Sequence, residues 1–238
     1  MDYTFKVHNL ASKYSDNEIL TKDSFIFIDY FFPYVEYKKL KLLQINKEGI
    51  YSTNHPSLMR QIIYIIEKQL NTSIKNLVIT DATANIGGSA INFAINAKFT
   101  NAIEINPITY SILENNVNVY DLKKMGKIKT YCNDYVSIMD NLIQNVIFID
   151  PPWGGLNYKK FKKIDLYLSQ IPIAYIINRL RNKANLILIK VPVNFSYELF
   201  SKHLSGLRSA DSCKFALIKY YKIRNFFIIS ILLRCMEN

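Results

Sequence analysis

Apolar residues in this chain fall into short continuous runs rather than strict alternation, and polar or small residues separate the runs at regular distances. Leu77-Val78-Ile79-Thr80-Asp81, Asn101-Ala102-Ile103-Glu104-Ile105, Ile128-Lys129-Thr130-Tyr131-Cys132, Val146-Ile147-Phe148-Ile149 and Leu186-Ile187-Leu188-Ile189-Lys190-Val191 read as buried strands. Between them the spacing is helical: Leu58, Ile62, Ile63, Ile65, Ile66 and Leu70 from an N-cap at Ser57, then Phe93 to Ile95, then Ile112, Leu113 and Val117 behind Asn106-Pro107. Ile171 to Leu180 and Tyr197 to Leu204 are predicted helices, and Phe215 to Tyr221 with Phe226 to Leu233 form a predicted hairpin at a sheet edge. Leu43 to Ser52 reads as a short strand or turn pair. The first 40 residues, with an aromatic cluster from Phe25 to Tyr37, read as an irregular or helical extension.

Strand alternating with helix predicts a parallel α/β sheet, in which ligands bind beyond the carboxyl ends of the strands. The residues at those ends are therefore the informative ones. Four successive strands end in Asp81, Glu104, Asp134 and Asp150. Any one such acid reads equally well as a helix cap, but four at one sheet edge point to a ligand-binding rim. The loop Ala82-Thr83-Ala84-Asn85-Ile86-Gly87-Gly88-Ser89 follows the first strand, as in a nucleotide-binding βα unit, although its glycine pattern is looser than a dinucleotide fingerprint. Asn85 stands where a further glycine is expected, and asparagine tolerates a positive φ. Glu104, about 20 positions after Asp81, is placed to accept from both hydroxyls of a ribose.

The densest motif is Asp150-Pro151-Pro152-Trp153-Gly154-Gly155. Two prolines present carbonyls without competing N–H donors, and Asp150 adds a carboxylate, so the bound group should be a donor. An exocyclic amine on a flat ring fits, with the indole of Trp153 as a stacking face and the two glycines allowing close approach.

Composition narrows the class. At 238 residues, half of them hydrophobic, the chain suits one α/β domain with a small extension and excludes a disordered protein. Thirty Lys and Arg against 19 Asp and Glu give +11, which favours a polyanionic partner such as nucleic acid. Cys132, Cys213 and Cys235 are odd in number and far apart, so neither a disulfide framework nor a zinc site is expected, and an intracellular, soluble protein without metal is.

A ribose-binding acid without the dinucleotide fingerprint, together with the Asp-Pro-Pro-aromatic loop, points to S-adenosylmethionine. At these residues the sequence resembles the class I methyltransferases of exocyclic amines, and within them the trimethylguanosine synthase family, the RNA cap guanine-N2 methyltransferases. The resemblance rests on Glu48-Gly49-Ile50-Tyr51-Ser52, Asp81-Ala82 through Gly87-Gly88, Ile103-Glu104-Ile105-Asn106-Pro107, Asn115-Asn116 with Tyr120, and Asp150 to Gly155 with Tyr158.

That resemblance implies a Rossmann-like class I methyltransferase fold: a mostly parallel seven-stranded sheet with helices on both faces, a methyltransferase domain over 41–238 and an extension over 1–40 that contributes to the substrate pocket. It implies that Asp81 and its loop, with Ala82 and Gly87, hold the methionine moiety, that Glu104 holds the ribose, and that Asn133 and Asp134 contact the adenine. Ser52, Asn106 and Asp150 complete the cofactor set. Trp153 would stack on 7-methylguanine, with Gly154 beside it, while Asp150 and Pro151 orient the amine. Tyr158 and Lys159, Lys160, Lys162 and Lys163 would meet the cap phosphates. The family's proline-arginine pair reads Pro192-Val193 here, so Lys190, Lys222 or Arg224 is expected to supply a phosphate contact. The loop after Asp81 departs from the family at Thr83, Ala84 and Asn85, and Asn54-His55-Pro56-Ser57 replaces its Thr-Pro-Glu. A monomer acting on m7G-capped RNA is the expectation. The residues alone leave open an N6-adenine methyltransferase and a non-catalytic RNA-binding subunit.

Overall fold

Each predicted apolar run becomes a strand in the computed structural model, which describes residues 10–206 and 213–235. The strands are β1 (Val78–Asp81), β2 (Phe99–Glu104), β3 (Ile128–Cys132), β4 (Val146–Ile149), β5 (Tyr167–Leu168), β6 (Ile171–Pro172), β7 (Leu186–Pro192), β8 (Cys213–Ile223) and β9 (Phe226–Cys235). The helices are α1 (Tyr37–Leu40), α2 (Lys47–Ser52), α3 (Pro56–Leu70), α4 (Gly88–Asn96), α5 (Pro107–Val119), α6 (Tyr135–Ile138), α7 (Ile173–Arg179) and α8 (Tyr197–Gly206). The main sheet has seven strands in the order β3-β2-β1-β4-β7-β9-β8, and β5 and β6 form a separate antiparallel pair. Among the described residues no helix is long and apolar enough to cross a membrane.

The chain divides into two compact units, the first ending at Asn133 and the second beginning at Asp134. In the first, β1 pairs in parallel with β2 and β2 with β3, in a register that sets Asp81 beside Ala102 and Glu104 beside Cys132. Helix α5 starts where the sequence places it: Asn106 accepts from the N–H groups of Ile108 and Thr109, and Pro107 fills the first helical position, where a missing N–H is harmless. Part of the N-terminal aromatic cluster is core, since Phe25, Phe31 and Phe32, with Ile28, join Ile45, Ile50, Ile86, Ile91 and Leu113 in one buried cluster, whereas Tyr34 and Tyr37 are exposed.

Two expectations for this unit are corrected. Lys47 to Ser52 is helical rather than extended, because the side chain of Asn46 accepts from Gly49 N at 2.8 Å and so caps a helix. Only Ile45 keeps the extended form, bridging to Leu20. Helix α3 begins before Ser57: His55 is the cap, accepting from Ser57 N at 3.0 Å, with Pro56 as the first helical residue.

In the second unit β4 pairs in parallel with β7, and all residues of both strands are buried. Strand β9 runs antiparallel to β7 and β8 antiparallel to β9, closing the sheet with the expected hairpin, whose turn places Arg224 at φ +51°. The predicted helix from Ile171 starts two residues later, since Ile171 and Pro172 pair with Leu168 and Tyr167.

Asn116 is a many-bonded buried side chain in the first unit's polar core. Its carbonyl accepts from Gln44 N at 2.8 Å, and its amide donates to Gln44 O at 2.8 Å and Ile86 O at 2.9 Å. It is wholly buried. Replacing it with leucine leaves buried backbone groups unpaired, so Asn116→Leu is expected to lower the unfolding free energy by about 3 kcal/mol. Urea denaturation followed by circular dichroism measures this.

Candidate functional site

The first unit gathers its predicted residues around the loop that follows β1. Asp81 is wholly buried at the strand end and its carboxylate accepts from Thr83 N at 3.3 Å. Buried Ala82 opens the loop, and Ala84 N donates to Ile103 O at 2.8 Å, pinning the loop to β2. Asn85 has φ +48°, as its place in the sequence anticipates, and Gly87 has φ +98° at the start of α4. The left-handed turn directs Asn85 N onto Glu104 Oε2 at 2.9 Å, while its side-chain amide donates to Ser52 Oγ at 2.9 Å.

Glu104 also accepts from Asn106 N, at 2.8 Å on Oε1, and its backbone carbonyl accepts from Asn133 N at 3.1 Å. The backbone N–H of Ile105 also faces this carboxylate, so three of its acceptor positions are engaged by main chain. Burial pushes the Glu104 carboxyl above its ordinary range, opposed by the Asn106 N–H and reinforced by the charge of Glu48. Ser52, Glu104, Asn106 and Asn133 are thus joined through hydrogen bonds. Two residues that sequence reasoning passed over adjoin them: Ile105 and Ile108 are 61% and 41% exposed. The available signal was an apolar residue directly after the acid, where the strand has already ended.

In the second unit, Asp134 spends one carboxylate oxygen capping α6, accepting from Val136 N at 2.9 Å. At the end of β4, Asp150 is ion-paired with Lys190 at 2.8 Å. Pro151 is buried, and Trp153 is partly buried with its Nε1 enclosed and without a hydrogen-bond partner among the described residues. Tyr158 meets the indole edge to face at 5.1 Å and 76°. Gly154 and Gly155 have φ +89° and +70°, and a Cβ at either would meet nothing within 4 Å, so conformation rather than crowding requires glycine there.

Lys190 does not reach solvent as a phosphate contact would. It is buried, and its Nζ lies 5.1 Å from the ring centre of Trp153 and 5.2 Å from that of Phe226. Lys222 and Arg224 are exposed at the tip of the β8–β9 hairpin, and Lys159, Lys160, Lys162 and Lys163 are exposed around the turn carrying Tyr158. Lys163 pairs with Glu198 at 3.1 Å. Asn194 was not anticipated: its amide donates to Tyr158 O at 2.9 Å and Phe161 O at 2.8 Å, tying this turn to the end of β7.

Residues 76–231 match the model of a protein family described as RNA cap guanine-N2 methyltransferase. Over 199 residues, 74% of this chain and 77% of the relative, the sequence is 30% identical to an uncharacterised protein of Acanthamoeba polyphaga mimivirus. A Pyrococcus horikoshii protein assigned as an RNA methyltransferase is similar in fold, with a TM-score of 0.50 and 12% identity, over 100% of this chain and 98% of its own. A T. thermophilus 16S rRNA N2 methyltransferase, solved with AdoMet and guanosine, is similar with a TM-score of 0.54 and 12% identity, over 75% of this chain and 43% of its own.

The left-handed turn can be tested apart from any activity. Both Asn85→Ala and Asn85→Gly lose the side-chain bonds to Ser52 and Ile86 N; alanine adds a side chain poorly suited to positive φ, for an expected loss of about 2 kcal/mol, and glycine adds only backbone freedom in the unfolded chain, for about 1 kcal/mol. Chemical denaturation of both variants gives the order.

Proposed function

The chain belongs to the RNA cap guanine-N2 methyltransferase family, and on that premise we propose that it methylates the exocyclic N2 amine of a 7-methylguanosine RNA cap. The enzyme is a methyltransferase of Rossmann-like fold that uses S-adenosylmethionine. The observation that carries the finer reading is the second unit's loop, where an acid, proline carbonyls and a partly buried indole occur within four residues.

The residues of the first unit suit the cofactor's chemistry. Glu104 retains acceptor capacity for a ribose hydroxyl after taking the N–H groups of Asn85, Asn106 and Ile105. Exposed Ile105 and Ile108 offer an apolar surface for adenine, with Asn133 and Asp134 as its polar contacts. Asp81, Ala82, Ser52, Asn106 and Gly87 are assigned to the methionine end, where a carboxylate suits an ammonium group. When bound, the cofactor supplies a methyl group already activated on a sulfonium.

The protein then has little acid–base work to do. Asp150 and the Pro151 carbonyl accept the N–H groups of the acceptor amine, which turns its lone pair toward the methyl carbon. Trp153 holds the base by stacking, and because N7 methylation makes that base cationic, an indole face favours it over plain guanine by about 1–2 kcal/mol. Gly154 lets the backbone come close. Tyr158, with the exposed lysines near it and Lys222 and Arg224, is assigned to the cap phosphates. The first 40 residues are an extension to the methyltransferase domain of 41–238. Exposed Tyr34 and Tyr37, beside Lys38 and Lys41, suit stacking and charge contacts with RNA.

Methyl transfer measured on m7GDP, GDP and adenine-containing RNA tests the reading. Label is expected on m7GDP alone, and labelling of adenine would replace the cap assignment with N6-adenine methylation. Trp153→Ala is expected to lower kcat/KM for m7GDP by about 100-fold, about 2.7 kcal/mol of transition-state stabilisation. S-adenosylmethionine affinity by calorimetry should stay within about threefold.

A further inference from the structure

Lys190 replaces an anticipated phosphate contact with something different. The parallel register pairs Ile149 with Ile189, so the next position along each strand sets Asp150 beside Lys190. Their ion pair is 2.8 Å long, with only 16% of the acid's side chain and 11% of the lysine's exposed. An exposed pair could separate freely, but this one cannot without stranding a charge away from water. The same ammonium lies within cation–π range of Trp153 and of Phe226, at 5.1 and 5.2 Å. One cation thus touches both groups to which the acceptor base has been assigned.

We infer that Lys190 is a positioning residue: its ammonium fixes the direction of the Asp150 carboxylate and the plane of the Trp153 indole relative to each other. The carboxylate sets where the N–H groups of the acceptor amine must point, and the indole sets the plane in which its ring must lie. Holding both from a single atom fixes the amine's pose before substrate arrives, so little orientation remains to be achieved during reaction. The ammonium also lies over the indole ring, 5.1 Å from its centre. What is positioned depends on the proposed function, whereas the clamp itself belongs to the unliganded protein and can be measured there.

The chain has one tryptophan, so its fluorescence reports on this indole alone. In the unliganded full-length protein, Lys190→Met is expected to shorten the slow component of the tryptophan anisotropy decay, and Lys190→Arg, which keeps the charge, to preserve it. In turnover with m7GDP, Lys190→Met should lower kcat by about 10-fold to 100-fold with KM for S-adenosylmethionine unchanged, and Lys190→Arg should recover kcat to within about fivefold of the parent. If Lys190→Met does not fold, the double variant Asp150→Asn/Lys190→Met, which buries no unpaired charge, gives the anisotropy measurement. An indole as ordered without Lys190 as with it overturns the inference. So does an unchanged kcat, or an arginine variant no better than the methionine one. If the parent protein methylates none of the purine substrates, the cap reading fails, and the anisotropy comparison alone decides for or against the clamp.

Discussion

A carboxylate at the end of a buried strand must be compensated, and the four acids at the strand ends are compensated in different ways. Asp81 is wholly buried and accepts from Thr83 N in its own loop. Glu104 takes one backbone N–H on each oxygen, from Asn85 and Asn106. Asp134 caps the short helix after it, and Asp150 pairs with a buried lysine. Position in the fold makes these residues alike, and compensation makes them distinct. Backbone donors leave a carboxylate with acceptor capacity to offer a neutral donor, whereas a buried lysine fixes its carboxylate's direction.

The loops differ in the same spirit. The turn after β1 is held by β2, through Ala84 N on the Ile103 carbonyl and Asn85 N on the Glu104 carboxylate. The turn after β4 is held from outside, by the Asn194 amide on Tyr158 and Phe161 and by Lys190 over Trp153.

Much of this was legible in the sequence because parallel strands buried on both faces are written as unbroken apolar runs, and β4, buried throughout, begins and ends where the pattern places it. Asn85 could be read as a left-handed residue because few side chains tolerate that conformation, and it is one. What escaped depended on pairing between distant positions. Nothing near Lys190 says that it lies beside Asp150; that follows from the β4–β7 register. Asn194 likewise acts on a turn more than 30 residues earlier. The Lys47–Ser52 helix was misread for a local reason: Leu43 and Ile45 begin an alternation, while one capping asparagine decides the matter for the residues that follow.

Asn85 has a thermodynamic consequence of its own. A glycine at φ +48° would adopt the turn as readily but would surrender more backbone freedom on folding, and it would have no amide to lay on Ser52. Asparagine narrows the conformations open to the loop both before and after folding. A ligand that settles on such a loop finds the ordering entropy already spent, and more of its contact energy is left to appear as affinity.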